Sequence, residues 1–170
     1  MEFEKYIRDI PDFPKKGIVF KDITTLLIDH EALKGVIDKI ADQYKNKNIE
    51  KVIGIESRGF IFGGMLAYLL DCGFVPARKA GKLPYKTINE SYSLEYGEAV
   101  IELHEDSIGK GEKVLIVDDL LATGGTAEAV VKLVERLGGD IRGIEFLIEL
   151  DFLKGREKIK GYNVNSIIHY

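Results

Sequence analysis

An unbroken apolar run, Val114-Leu115-Ile116-Val117, leads into Asp118-Asp119 and then into Leu120-Leu121-Ala122-Thr123-Gly124-Gly125-Thr126. A run of this kind reads as a strand buried on both faces, and such strands belong to parallel sheets covered by helices. The strand delivers two carboxylates at its C-terminal end, where open α/β sheets bind their ligands. The Thr-Gly-Gly-Thr turn then places several backbone N–H groups and two hydroxyls at the start of a helix, a cradle suited to a phosphate monoester. Two adjacent carboxylates do not bind phosphate. They suit sugar hydroxyls or a developing positive charge. The ligand implied has a phosphate, a polyol and a cationic transition state. The plainer alternative is an Asp-Asp strand end followed by a glycine-rich turn. No Lys precedes Thr126, so this is not a Walker loop, and no Gly-x-Gly-x-x-Gly follows a strand.

The rest of the chain agrees with an α/β fold, because strands and helices alternate. Leu33, Val36, Ile37, Ile40, Ala41 and Tyr44 fall on one face of a helix over His30–Tyr44, with Asp29 as N-cap. Strands are expected at 51–55, 74–77, 100–103, 113–117, 141–150 and 164–168. Apolar helices are expected at 60–70 and 126–137, the second closed by Gly138-Gly139. The stretch 78–93 has no clear period and reads as irregular, and long irregular segments in compact domains are usually functional or disordered.

The 170 residues fit one domain at the usual size of about 150. With 24 Lys and Arg against 28 Asp and Glu, the net charge is −4. Bulk charge therefore does not favour nucleic acid, and an anionic ligand needs a local patch. Arg78, Lys79, Lys82 and Lys86 form such a patch, with no acidic residue among them. A solvated basic loop is the alternative. The single cysteine, Cys72, excludes an internal disulfide and reads as a small core residue. His30, His104 and His169 are too scattered to suggest a site, and no zinc spacing exists. No window supplies the roughly 18 apolar residues of a membrane span, and the charged start is not a signal peptide. A cytoplasmic location is expected.

The 114–126 segment resembles the phosphoribosyl diphosphate motif of the type I phosphoribosyltransferases. The resemblance covers nearly the whole chain. It includes Arg8-Asp9-Ile10-Pro11-Asp12-Phe13-Pro14, Gly17-Ile18-Val19-Phe20-Lys21-Asp22-Ile23 and Glu56-Ser57-Arg58-Gly59-Phe60. It continues through Arg78-Lys79-Ala80-Gly81-Lys82-Leu83-Pro84, Ser91-Tyr92-Ser93-Leu94-Glu95-Tyr96-Gly97 and Leu153-Lys154-Gly155-Arg156-Glu157-Lys158. The Pro-Asp-Phe-Pro and Ser-Tyr-Ser-Leu-Glu-Tyr-Gly blocks are similar to the branch that uses adenine.

The resemblance implies an open, mostly parallel sheet flanked by helices. It also implies a small N-terminal hood over 1–28, carrying the base pocket, and a basic, flexible catalytic loop over 78–97. Thr123, Gly124, Gly125 and Thr126, with Ala122, would hold a 5-phosphate. Asp118 and Asp119 would hold ribose hydroxyls and stabilise an oxocarbenium-like transition state. Ser57 and Arg58 would hold pyrophosphate, with the Glu56–Ser57 peptide open to a cis form. Arg78, Lys79 and Lys82 would bind phosphoribosyl diphosphate, some reaching from a neighbouring subunit. Glu95 would take the purine proton and Tyr96 would shield the site, although a lone loop Glu is more often solvated. Backbone groups of Val19 and Lys21 would read adenine, with Phe20 and Leu121 packing on it. Mg2+ is implied as a passenger on the diphosphate, not in a protein cage.

A homodimer is implied as well. Lys16 and Thr25 stand where Pro is frequent in the family. Two rivals remain: a relative that takes hypoxanthine, guanine, xanthine or orotate, and a non-catalytic sensor. Sensors of this type carry a DNA-binding domain, and the 18 residues before Val19 are too few for one.

Overall fold

The computed structural model describes residues 1–93 and 98–170. In chain order its regular elements are β1 (Arg8–Pro11), β2 (Val19–Asp22), α1 (Thr24–Ile28), α2 (His30–Tyr44), β3 (Lys51–Ile55), α3 (Gly59–Leu69), β4 (Gly73–Lys79), β5 (Thr87–Ser93), β6 (Glu98–His104), β7 (Lys113–Leu121), α4 (Gly125–Leu137), β8 (Asp140–Glu149) and β9 (Val164–His169). Short 3-10 turns lie at Phe3–Tyr6, Asp151–Leu153 and Gly155–Ile159.

Seven strands form one sheet in the order β5-β6-β4-β3-β7-β8-β9. The pairs β4–β3, β3–β7, β7–β8 and β8–β9 are parallel, while β5–β6 and β6–β4 are antiparallel. The mostly parallel α/β fold expected from the alternation is the fold observed. Period-two alternation along β7 splits the core in two: Leu115 and Val117 face one cluster with α2 and α3, and Val114 and Ile116 face the other with α4. Helix α2 forms as its spacing requires, with Asp29 accepting from the Ala32 amide at 2.8 Å. Helix α4 is bracketed by Gly124 (φ 77°) and Gly138 (φ 82°), both left-handed.

Two sequence expectations need correction. Residues 87–93 are not irregular: Thr-Ile-Asn-Glu-Ser-Tyr-Ser forms β5, paired to β6 over its whole length. Polar residues hide its period, and the pairing partner supplies the strand. The unpaired part of the basic segment narrows to 80–86. The second correction is to β7, which runs past its carboxylates to Leu121, because β8 continues alongside with Asp118 opposite Phe146 and Leu121 opposite Glu149.

The N-terminal segment carries a separate two-stranded sheet, with β1 antiparallel to β2. Arg8 grips Asp22 at 3.0 and 2.6 Å, and Lys21 reaches Asp9 at 2.8 Å while lying 3.6 Å over the Tyr170 ring. Thr25, where Pro is common in the family, uses its hydroxyl to donate to the Tyr6 carbonyl at 2.6 Å. Lys16 is exposed. No described helix is long and apolar enough to cross a membrane.

Candidate active site

At the carboxyl ends of β3 and β7 lies a cavity of about 510 Å³ lined by Ile55, Glu56, Ser57, Arg58, Lys79, Tyr92, Asp118, Asp119 and Thr126. Two parallel strands side by side, each followed by a helix, bring the two loops together here. Their approach is close. A β-carbon on Gly59, at the start of α3, would lie 2.9 Å from both Asp118 Oδ1 and the Val117 carbonyl. Only glycine lets α3 begin there.

Asp119 is buried at 6% exposure and forms an ion pair with Arg58, Oδ2 to Nε, at 2.7 Å. Asp118 Oδ1 accepts from the Asp119 amide at 2.8 Å. Burial pushes the Asp118 carboxyl well above its usual range, and the neighbouring Asp119 charge pushes it further. Asp119 is raised by burial too, against the pull of Arg58. The pair thus holds one compensated carboxylate and one that is costly to ionise. Such a group gains most from a positive charge appearing beside it.

The Glu56–Ser57 peptide is cis. Glu56 is the centre of a basic cluster: Arg78 Nε donates to its Oε2 at 3.2 Å, the Lys79 amide to the same oxygen at 3.1 Å, and Lys82 Nζ to Oε1. Burial works to raise the Glu56 carboxyl, but Lys82, the Lys79 amide and Arg78 together outweigh it and hold it below its usual value. Arg78 also donates from Nη1 to the Lys82 carbonyl at 3.2 Å. Two of the basic residues are therefore tied within their own chain, while Lys79 lines the cavity.

The turn 122–126 ends at the α4 N-terminus, where among the described residues no side chain caps the helix. Its first-turn amides are thus available to a ligand. Thr126 faces the cavity, and Gly125 lines a smaller adjoining pocket with Tyr92 and Lys158. Leu121 is buried. On the hood, Phe20 lies 5.4 Å from the Arg58 guanidinium and stacks edge-on against Phe13 at 5.2 Å. Val19 is exposed. One edge of β2 pairs with β1, and among the described residues the other edge pairs with no strand.

Of the residues expected from sequence, Ser57, Arg58, Lys79, Asp118, Asp119 and Thr126 meet in one cavity, and Phe20 reaches it through Arg58. Arg78 and Lys82 reach its wall through Glu56. Glu95 and Tyr96 lie outside the described residues. Glu56 and Tyr92 were not among the expected site residues. Both sit inside blocks that carry the resemblance, and Glu56 ends the buried strand immediately before Ser57.

Among the described residues, one trio of potential metal ligands lies within 4.8 Å: Glu149, Asp151 and His169. None of the three lines the cavity. Glu149 is already engaged by Arg156 and Ser166.

A family model described as a phosphoribosyl transferase domain matches residues 22–167. The adenine phosphoribosyltransferase of Brachyspira hyodysenteriae is 58% identical over 170 residues, all of both chains. The crystal structure of the adenine phosphoribosyltransferase of Thermoanaerobacter pseudethanolicus superposes with a TM-score of 0.95 at 51% identity, covering 99% of this chain and 98% of that one. The Trypanosoma brucei adenine phosphoribosyl transferase, solved with AMP, pyrophosphate and ribose-5-phosphate, gives a TM-score of 0.91 at 30% identity, covering 98% of this chain and 78% of that one. With the twin carboxylates, Ser57, Arg58 and Thr126 around one cavity, the chain belongs to the phosphoribosyltransferase family, among its adenine phosphoribosyltransferases, which are pentosyltransferase enzymes.

Proposed function

We propose that this cavity joins adenine to 5-phosphoribosyl diphosphate, giving AMP and diphosphate. The observation that carries the reading is the meeting of Ser57, Arg58, Lys79, Asp118, Asp119 and Thr126 around one space of about 510 Å³. Thr123, Gly124, Gly125 and Thr126, with Ala122, hold the 5-phosphate on the α4 amides. Asp118 and Asp119 take the ribose hydroxyls. Ser57, Arg58, Arg78, Lys79 and Lys82 face the diphosphate. Adenine lies against Phe20, read by the free edge of β2 at Val19 and Lys21.

With both ends of the donor fixed, C1 is the part that moves. The bond from C1 to the diphosphate oxygen breaks and its electrons leave with diphosphate. N9 of adenine bonds to C1, and its proton passes to Glu95, with Tyr96 covering the site. Orientation supplies much of the rate, and the carboxylates stabilise the oxocarbenium-like charge. The donor set fits magnesium only as a passenger: Asp118 has no ion pair among the described residues and suits a hydrated ion carried by the substrate. Magnesium bound this way neutralises the leaving diphosphate. The cytoplasm is the compartment this reading implies.

We further infer a homodimer. A groove of about 460 Å³ between α2 and α3, lined by Leu33, Ile37, Met65, Tyr68 and Leu69, is mostly apolar. Tyr68 stands 85% exposed beside it, and apolar surface of this kind marks interaction sites. Sedimentation should give twice the 19.1 kDa chain mass, and a fully active 19.1 kDa species would refute the dimer. The base assignment is tested by initial rates with adenine, hypoxanthine, guanine, xanthine and orotate. Adenine should be the preferred acceptor; a faster rate with any other base overturns the assignment.

A further inference from the structure

The block Leu153-Lys154-Gly155-Arg156-Glu157-Lys158 has no part in the roles above, yet it packs directly behind the phosphate turn. A β-carbon on Gly124 would lie 2.3 Å from the Gly155 carbonyl oxygen. One on Gly155 would lie 2.2 Å from the Ala122 carbonyl oxygen and 2.9 Å from the Gly124 nitrogen. The two turns therefore touch backbone to backbone, with no room for a methyl group on either side. The Leu150 amide donates to the Leu121 carbonyl at 2.9 Å, fastening the segment just before the turn begins.

The next residue, Arg156, anchors this backing to the sheet. Its Nε donates to Glu149 Oε1 at 3.0 Å, its Nη2 to Oε2 of the same carboxylate, and its Nη1 to the Val164 carbonyl at 2.6 Å. Glu149 is 4% exposed and ends β8, and Ser166 of β9 donates to its Oε2 at 2.6 Å. A planar guanidinium fork fixes direction as well as charge, which an ammonium does not. Ile159, at the far end of the segment, is buried in the α4 cluster. The segment is thus pinned on both sides of Gly155.

We propose that Gly155 and Arg156 are positioning residues for the phosphate turn. Gly155 is the surface on which 122–124 rests, and Arg156 holds that surface to β8 and β9. The proposal rests on the assignment of the turn to the 5-phosphate. Neither residue needs to touch substrate. Their effect is to keep the turn's amides aimed before ligand arrives, so that binding does not have to order them.

The test uses the full chain with Gly155→Ala and Arg156→Lys, after melting curves establish which variants fold. Ribose 5-phosphate affinity is read by calorimetry, and KM for phosphoribosyl diphosphate and for adenine by kinetics. Displacing a turn by a fraction of an ångström to an ångström is expected to weaken ribose 5-phosphate and raise KM for the diphosphate donor by about 10- to 100-fold, with KM for adenine unchanged. Arg156→Lys keeps the charge and adds no atom near the turn, so, folded, it decides the matter alone if Gly155→Ala does not fold, and Gly155→Ala decides it in the converse case. A folded Arg156→Lys with wild-type ribose 5-phosphate affinity overturns the proposal. So does an equal loss toward adenine and donor, which is the mark of general loosening. A wild-type protein that ignores ribose 5-phosphate overturns the phosphate assignment itself, and with it the proposal.

Discussion

Arg58 pairs with Asp119, Nε to Oδ2, at 2.7 Å while its guanidinium sits 5.4 Å from the Phe20 ring centroid. One side chain therefore links the carboxylate pair on β7 to the N-terminal strand β2. It compensates Asp119 and lies within cation–π range of the hood. Asp118, its neighbour in the chain, has no ion pair among the described residues, and Arg58 pulls on it only from farther off.

That asymmetry separates function from stability at Asp118. The folded state holds the Asp118 proton more tightly than the unfolded chain does, so ionising it costs stability. The cost is absent below the ordinary carboxylate range, grows as pH rises above that range, and levels off above the raised folded value. Asp118→Asn should therefore melt higher than wild type at neutral pH and level with it in acid. Its turnover should fall by about 100-fold, the scale of one well-placed electrostatic group. In the wild type, activity should fall as pH drops through the raised value. Melting curves and rates over pH check both; unchanged turnover contradicts the role.

Glu56 gathers Arg78, the Lys79 amide and Lys82. Glu56→Gln removes the charge that holds the two side chains at the cavity wall. KM for phosphoribosyl diphosphate should rise about tenfold, roughly 1.4 kcal/mol, with KM for adenine steady. A lower donor KM would mean that Glu56 competes with the diphosphate for these cations.

A buried network away from the cavity sets a stability prediction. Tyr44 donates to Glu145 Oε1 at 2.6 Å and Asn165 to the same oxygen at 2.8 Å, while Oε2 is buried without a hydrogen-bond partner among the described residues. Burial raises the Glu145 carboxyl against these donors. Tyr44→Phe removes the shorter bond and should cost about 1–3 kcal/mol in denaturant unfolding, with no change in KM.

Glu95 is tested by Glu95→Gln. AMP affinity should hold while turnover falls by about 100-fold or more, the signature of a group acting in the transition state. Full-rate turnover would make Glu95 an ordinary loop residue.

How much of this was legible beforehand depended on range. The α2 face, the Asp29 cap and the 114–126 motif are local patterns, so spacing alone exposed them. Strand β5 was missed because Asn89, Glu90 and Ser91 mask its period and its existence rests on pairing with β6. The gathering of Arg78 and Lys82 on Glu56 joins residues 22 and 26 positions apart, and Gly155 meets Gly124 from a distant turn. Such contacts follow from strand order, which periodicity does not encode.

Phosphorus NMR of wild-type protein with adenine, phosphoribosyl diphosphate and magnesium tests the central claim most directly. The donor signals should give way to AMP and diphosphate in equal amounts, and only when adenine is present. Donor left intact, or diphosphate released without AMP, would contradict it.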